Sequence, residues 1–267
     1  SGDRARGPDQ VSGHHLVTAL APYTVLATFI LFCRIGACLM LMPGFSSPRV
    51  PMRVRLFVAI AITLALAPLL VDGVRDSIPD GSAVGVLGLI FSETLIGALI
   101  GLMGRMFFLA LQFAGGSIAM LVGLPNTPDT MIEETDPVAA VTSLFTLTAV
   151  ILLFITDLHW EILRALVDSY AAVPVAEQLA PNFGVIKLVD SLHEAFLLAM
   201  RITAPFIVYS VTINLLFGIL GKMTPQIPVY FISIPFVLAG GGIILYFAFG
   251  ELMQVFVAGF TAWLADI

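Results

Sequence analysis

The sequence predicts an all-α integral membrane protein whose helices are kinked or broken by proline and glycine. Hydrophobic residues make up 59% of the 267 residues and charged residues only 11%, whereas soluble domains carry about 25% charged residues. The mean hydropathy is +1.03. The apolar runs are continuous and do not alternate with a period of two, so the expected spans are helices and not the strands of a membrane barrel.

Six or seven apolar segments follow one another along the chain. A bilayer span needs about 20 apolar residues, and inside lipid it must be helical, because the backbone has no other way to satisfy its polar groups. We expect one helical domain over residues 16–267, after a polar segment 1–15 to which we assign no function. Arg105 separates two of the apolar runs. The segments lie near 16–42, 54–71, 83–104, 106–124, 138–156, 195–221 and 227–250.

The charges of the connectors do not fit a simple topology. Connector 43–55 carries three arginines and no acid, which places it in the cytoplasm by the positive-inside rule. If every segment spans, the acidic connectors 72–81 and 125–137 lie outside, as expected. However, the acidic stretch 157–194 then lies inside and Lys222 outside, against the rule. Either one segment does not span, or the helices are not ordinary bilayer spans.

Stretch 157–194 contains two predicted amphipathic helices. The first stops before Pro174, and the second begins after the sequence PNFG (181–184). Their apolar faces suit either lipid headgroups or a partner protein. On the first helix the predicted apolar face comprises Trp160, Leu163, Val167 and Tyr170, and the polar face comprises Glu161, Arg164 and Asp168.

Four charged residues lie inside apolar runs: Arg34, Glu93, Arg201 and Glu251. Each costs about 2.5–3.5 kcal/mol to insert in a membrane and therefore needs a compensating interaction. They either form an ion pathway or pair with one another, with broken backbone or with another subunit. Polar residues that would continue an ion pathway are not evident beside Glu93, so we favour structural pairing.

Glycines on the same run as Glu93 indicate close helix packing. Gly97 and Gly101 are four residues apart, a spacing that lets helix backbones approach closely. Glu93 precedes Gly97 by four residues and therefore lies on the same helix face. The sequence predicts a packed face that carries one polar group.

The sequence offers no set of residues typical of a catalytic or metal site. It contains no HExxH, GxSxG, Walker or CxxC pattern. Cys33 and Cys38 are five apart and would face different directions on a helix, so neither a disulfide nor a metal pair is expected. No basic block suits nucleic acid. We expect no enzyme, no cofactor and no nucleic-acid partner.

The acidic connector 125–137 is the most unusual one in composition. Pro125, Pro128 and Pro137 forbid a continuous helix through it. Composition alone favours a solvated loop. The alternative is a mobile segment that lines a cavity, because non-helical backbone at membrane depth is tolerated only where protein or water surrounds it.

The chain resembles the FliR family of flagellar export-gate proteins over about residues 16–265, and the virulence-secretion counterparts are built alike. The order and spacing of several motifs carry the resemblance together. They are Arg34 with the turn at Pro43, VPMRVR (50–55), ETLIGALIG (93–101), AGGSIAMLVGL (114–124), DLHW (157–160), DSYAAVP (168–174) and GKMTPQIPVYFISIP (221–235).

This resemblance implies a structural subunit of a protein export channel. FliR-like proteins join FliP-like and FliQ-like subunits in a closed helical assembly that admits unfolded export substrates, with FlhB-like and FlhA-like proteins around it. The chain would act as a fused P-type and Q-type subunit, with P-like helices first and a Q-like hairpin over about 195–250. The implied location is the flagellar basal body in the bacterial inner membrane, in contact with membrane lipid.

The resemblance further implies that the loop after Gly123 is a plug that helps to close the pore. The implied plug residues are Gly123, Leu124, Pro125, Asp129, Met131, Ile132, Glu133, Glu134, Asp136 and Pro137. We assign a second set to helix packing and assembly, comprising Arg34, Pro51, Arg55, Glu93, Gly97, Gly101, His159, Pro225, Gln226 and Pro235.

A secondary transporter is the alternative interpretation. Its binding site would lie at the interrupted segments 43–51 and 223–235, where helix ends and buried charges meet near the membrane midplane.

Overall fold

The computed structural model describes residues 9–46, 50–75, 77–78, 83–124, 137–175, 181–224, 226 and 228–266. Over these residues the chain forms seven α-helices and no strand, which confirms the predicted all-α class. The first helix begins at Asp9, inside the segment expected to be polar and separate. The helices are α1 (Asp9–Leu41), α2 (Met52–Arg75), α3 (Ala83–Leu121), α4 (Pro137–Ile155), α5 (Leu158–Ala172), α6 (Pro181–Met223) and α7 (Val229–Leu264).

Two helices are longer than the sequence predicted. The runs on either side of Arg105 form one helix, α3, of 39 residues, so the expected division there was wrong. Arginine is a good helix former and the side chain of Arg105 is exposed, so nothing interrupts the backbone. Similarly, the second amphipathic stretch and the run after it form one helix, α6, of 43 residues.

Proline interrupts the helices less than expected. Pro68, Pro205 and Pro235 lie inside α2, α6 and α7, although each lacks the amide proton of a regular helix residue. The interruption expected over 223–235 is therefore shorter than predicted and ends before Val229. The turn between α6 and α7 lies at 224–228, with Pro228 at the N-terminal cap of α7.

Five described helices are long and apolar enough to cross a membrane. They are α1, α2, α3, α6 and α7. Helices α4 and α5 form a sixth candidate as a bent pair, with an angle of 74° between them. The corner lies at Asp157, which adopts a positive φ of 58°, a conformation that Asp tolerates better than most residues.

Amphipathic helix α5 buries a face that was not predicted from the sequence. Trp160, on the apolar face expected to meet lipid headgroups or a partner protein, is 63% exposed. The buried side chains recur about one helical turn apart and include a serine. They are Leu158, Ile162, Ala165, Leu166 and Ser169.

The chain divides into two compact units. The first unit comprises Ser1–Leu102 and Leu166–Gly184. In it α1 packs against α2, and buried α1 side chains such as Ile30, Leu31 and Ile35 form the core.

The second unit comprises Met103–Ala165 and Val185–Ile267. Its core is aromatic: Phe108 of α3 meets Phe256 of α7 edge to face with 5.3 Å between ring centroids, and Phe107 lies 5.0 Å from Trp263. The indole nitrogen of Trp263 donates a hydrogen bond to Ser191 of α6 at 3.0 Å, which satisfies the indole inside the core.

Candidate functional site

The first unit is organised around a buried ion pair between α1 and α3. Arg34 and Glu93 are both 0% exposed. The Arg34 Nε donates to one carboxylate oxygen of Glu93 at 2.6 Å, and its Nη2 donates to the other at 2.8 Å. This two-point geometry is the strong arrangement for arginine and carboxylate. We call this pair, with its α5 contacts described next, the Arg34 junction.

The remaining donors of Arg34 bind the end of α5. Nη1 donates to the Ser169 carbonyl and Nη2 to the Val173 carbonyl, each at 3.0 Å. The guanidinium carbon lies 4.1 Å from the ring centroid of Tyr170, a cation–π distance. Carbonyls at a helix C-terminus favour a cation, and the Ser169 carbonyl accepts the Val173 amide at 3.0 Å as well. One side chain therefore holds α1, α3 and α5 together.

The chemistry of the junction is structural. A buried charge is tolerated when its hydrogen-bonding capacity is filled, and Arg34 reaches a carboxylate, two backbone carbonyls and an aromatic face. Its charge is therefore neutralised locally and does not face an open path. Within the described residues, no group of three His, Cys, Asp or Glu side chains is arranged to hold a metal ion.

Gly97 and Gly101 lie against the backbone of α1 beside the junction. A Cβ at Gly97 would collide with the Arg34 carbonyl oxygen, and one at Gly101 would lie 2.6 Å from the Cys38 carbonyl oxygen. Since both series of contacts ascend in sequence, α1 and α3 run in the same direction. The two glycines allow the approach that brings Glu93 to Arg34.

Arg55 fastens the connector that precedes α2. Its Nε donates to the Val50 carbonyl at 3.0 Å and its Nη1 to the Ser46 carbonyl at 3.3 Å. The carbonyl of Pro51 accepts the amides of Val54 and Arg55 at the first turn of α2. Arg55 therefore acts on its own connector, away from the Arg34 junction.

His159 lies at the corner between α4 and α5 in the second unit. Its ring is 5.5 Å from Phe154 and 5.5 Å from Trp160. Its Nδ1 is buried and makes no hydrogen bond with the described part of the chain. Among the other assigned residues, Gln226 is exposed in the α6–α7 turn and Pro235 is exposed on α7. Pro225 lies outside the described residues.

Most of the predicted plug also lies outside the described residues. Gly123 and Leu124 are described at the end of α3, where Gly123 has a φ of 83°. Pro137 begins α4. The plug residues that are not described are Pro125, Asp129, Met131, Ile132, Glu133, Glu134 and Asp136.

Sequence reasoning missed the α5 side of the junction. Ser169 and Val173 contribute carbonyl groups, which every residue possesses, so their side chains give no signal. Tyr170 stood in the motif DSYAAVP and on the predicted apolar face of α5. Its contact with Arg34 was not predicted, although an aromatic ring on an amphipathic helix is a natural partner for a buried arginine.

Comparison with known protein families identifies a family whose model matches most of this chain. The model of the family described as "Bacterial export proteins, family 1" matches residues 25–263, so the match includes the Arg34 junction and both members of the α6–α7 hairpin.

Several similar proteins carry one name, "Flagellar biosynthetic protein FliR". The protein from Caulobacter vibrioides is 32% identical over 80% of this chain and 84% of its own length. The Pectobacterium carotovorum protein is 29% identical over 79% of each chain. The Escherichia coli K12 protein is 28% identical over 78% of each chain.

Proposed function

The chain belongs to family 1 of the bacterial export proteins, and from this we propose that it is a structural subunit of the flagellar protein export gate. With P-type and Q-type subunits it forms the channel for unfolded flagellar substrates in the bacterial inner membrane, at the flagellar basal body. FlhB-like and FlhA-like proteins are its further partners, and the segment 123–137 acts as a pore plug.

The main observation that supports this proposal is the exposed surface of the first half of α6. Between 185 and 201 this helix exposes charged and polar groups, including Asp190, Glu194 and Arg201, which lipid hydrocarbon does not accept. It also exposes seven large apolar side chains, each between 41% and 59%, which is typical of a protein interface. The seven are Val185, Ile186, Val189, Leu192, Phe196, Leu197 and Met200. Neither lipid nor water suits this mixture, whereas partner subunits do.

The second half of α6 has the chemistry of a bilayer span. From 204 to 223 it exposes apolar side chains such as Val208 (66%), Leu215 (64%) and Ile219 (54%), and its only charge is Lys222 near the end. At roughly 1.5 Å per residue the stretch is about 30 Å long, which equals the thickness of the hydrocarbon core. This division supports a hairpin that crosses the membrane with one half and assembles outside it with the other.

The continuous helix α3 changes the charge topology as well. Counted from connector 43–55 with α3 as one span and the bent pair α4 and α5 as one span, the acidic stretch 157–194 lies outside and the α6–α7 turn with Lys222 is cytoplasmic, as the positive-inside rule requires. The same count places the acidic connector 125–137 inside, against the rule, so the helices are not all ordinary bilayer spans.

The Arg34 junction argues against a transporter. A transporter needs charges that meet substrate or ions near the midplane. Arg34 and Glu93 instead neutralise each other and bind backbone carbonyls.

Phe196→Ser is expected to weaken the recovery of P-type and Q-type subunits with this chain by about tenfold or more, because exposed aromatic residues are common anchors of interfaces. The measurement is the amount of each partner that co-purifies from co-expressing cells in mild detergent. Thr212→Ser, which keeps an exposed hydroxyl on the half of α6 assigned to lipid, is the control and should leave recovery unchanged. Equal recovery for Phe196→Ser and Thr212→Ser would contradict an interface on the first half of α6.

Deletion of residues 127–135 is expected to make membranes that carry the assembled gate permeable to small ions, since the deletion removes most of the proposed plug. The measurement is ion flux across those membranes, with assembly checked by co-purification. Deletion of residues 78–81 shortens a different connector and should leave the flux at its basal level. An assembled gate that stays tight without residues 127–135 would rule out the plug.

A further inference from the structure

Helix α7 contains three consecutive glycines that have very different surroundings. A Cβ at Gly240 would collide with the hydroxyl of Tyr209 and lie 2.9 Å from its Cζ. A Cβ at Gly241 would lie 2.7 Å from both methyl carbons of Val122. At Gly242 a Cβ would meet nothing within 4 Å. Side chains of other helices therefore pack directly against two of the three glycines, and we call each of these contact points a seat.

The seat at Gly240 joins α6 to α7. The Tyr209 hydroxyl donates to the Phe236 carbonyl at 2.8 Å, and the Val237 carbonyl lies 3.4 Å away. A carbonyl oxygen has two lone pairs and accepts this bond beside its helical one. The contact falls one residue after Pro235, which donates no helical hydrogen bond, so Tyr209 binds α7 beside its internal proline.

The seat at Gly241 joins α7 to the end of α3. Val122 is 3% exposed and its amide still bonds to the Ile118 carbonyl at 2.9 Å. The next residue, Gly123, adopts a φ of 83°, a value that favours glycine, and so turns the chain out of the helix. Val122 therefore packs on Gly241 at the point where the chain leaves α3.

We propose that Gly240 and Gly241 form a positioning seat that sets the exit of the chain from α3. Tyr209 and Val122 fill it from two other helices, and Gly241 is the residue that cannot be enlarged without moving that exit. The inference rests on the proposed function in one respect: the chain that leaves α3 here enters the proposed plug, so the seat governs where the plug begins.

The test compares two neighbouring glycines in the assembled complex. A cysteine at position 127 serves as a reporter, in a chain whose Cys33 and Cys38 are replaced by alanine. Its rate of reaction with N-ethylmaleimide reports the surroundings of the exit. Gly241→Ala is expected to change the rate about tenfold or more, since the new methyl group displaces Val122. Gly242→Ala, which fills open space, should leave the rate unchanged.

Two further variants separate the seat from a general loss of folding. Val122→Ala combined with Gly241→Ala restores the missing space and should return the rate to that of the parent chain. Tyr209→Phe removes only the hydroxyl and should change the rate by a smaller factor than Gly241→Ala. Equal rates for Gly241→Ala and Gly242→Ala, or no recovery in the double variant, would overturn the seat.

Ion flux in the same variants distinguishes the seat from the plug. A changed rate at position 127 in Gly241→Ala, together with a membrane that stays tight after deletion of residues 127–135, supports the seat and argues against the plug. An unchanged rate in Gly241→Ala, together with leakage after deletion of residues 127–135, supports the plug and overturns the seat.

Discussion

Glu93→Ala is expected to lower the accumulation of the folded chain several-fold. The substitution leaves Arg34 charged, 0% exposed and bound only to carbonyl groups and an aromatic ring. Removing one partner of a buried ion pair costs about 3–5 kcal/mol, and proteins of ordinary stability unfold with only about 5–15 kcal/mol. The measurement is the amount of chain extracted in mild detergent and its co-purification with partner subunits.

An exposed ion pair on α5 provides the matched control. Arg164 and Glu161 lie 3.4 Å apart with their side chains 72% and 46% exposed. Because exposed pairs contribute about 0–1 kcal/mol, Glu161→Ala should leave the yield near that of the parent chain. Equal yields for Glu93→Ala and Glu161→Ala would show that the Arg34 junction does not hold the first unit together.

A double substitution tests whether the unpaired charge is the cause. Arg34→Met combined with Glu93→Leu removes both charges and keeps apolar volume in the site. Replacement of a whole buried pair by apolar residues is often neutral, although here the Val173 carbonyl loses the donor that Arg34 provides and the Ser169 carbonyl keeps only the Val173 amide. The yield should therefore recover to a level between that of Glu93→Ala and that of the parent chain.

The two charged residues of the Arg34 junction could be identified from the sequence, but their contacts with α5 could not. Arg34 and Glu93 were evident because a charge inside an apolar run needs compensation. They are 59 residues apart, and no local pattern sets their partner. The α5 contacts were beyond prediction for a simpler reason: they use backbone carbonyls, which are present at every position.

Helix boundaries were predicted least well where a single arginine or proline was expected to interrupt a helix. Arg105 and Pro235 both lie inside continuous helices. A single charge ends a bilayer span only if that part of the helix lies in lipid, and these helices exceed the thickness of a bilayer. These helix boundaries therefore do not follow from the position of a single charge or proline, because the helices are longer than a bilayer span.

The contacts of the three consecutive glycines of α7 could not be predicted from the sequence either. Glycine favours conformational freedom, so the run Gly240–Gly242 in the sequence suggests a loosened helix. Two of them instead meet Tyr209 and Val122, and only Gly242 has open space around it. Whether a helical glycine is a weak point or a contact depends on which helix passes beside it, and the sequence does not contain that information locally.

Gly97→Ala is the second substitution with a large expected effect. A Cβ at this position would collide with the Arg34 carbonyl oxygen and lie 2.9 Å from its Cα. The obstacle is backbone, so no rotamer change relieves it, and α1 and α3 must move apart. Such overpacking typically costs about 1–3 kcal/mol or more. Because Glu93 is one turn away, the movement also lengthens the hydrogen bonds of the Arg34 junction.

Gly88→Ala is the control on the same helix. A Cβ there meets nothing within 4 Å, and alanine is favoured over glycine inside a helix by about 1 kcal/mol, so this variant should keep or raise the yield. Thermal stability of the purified complex should fall for Gly97→Ala and not for Gly88→Ala. Unlike Gly241→Ala, Gly97→Ala should not be rescued by any side-chain truncation on α1, because the colliding atom is a carbonyl oxygen. Recovery by a smaller α1 side chain would mean that the two helices do not meet backbone to backbone.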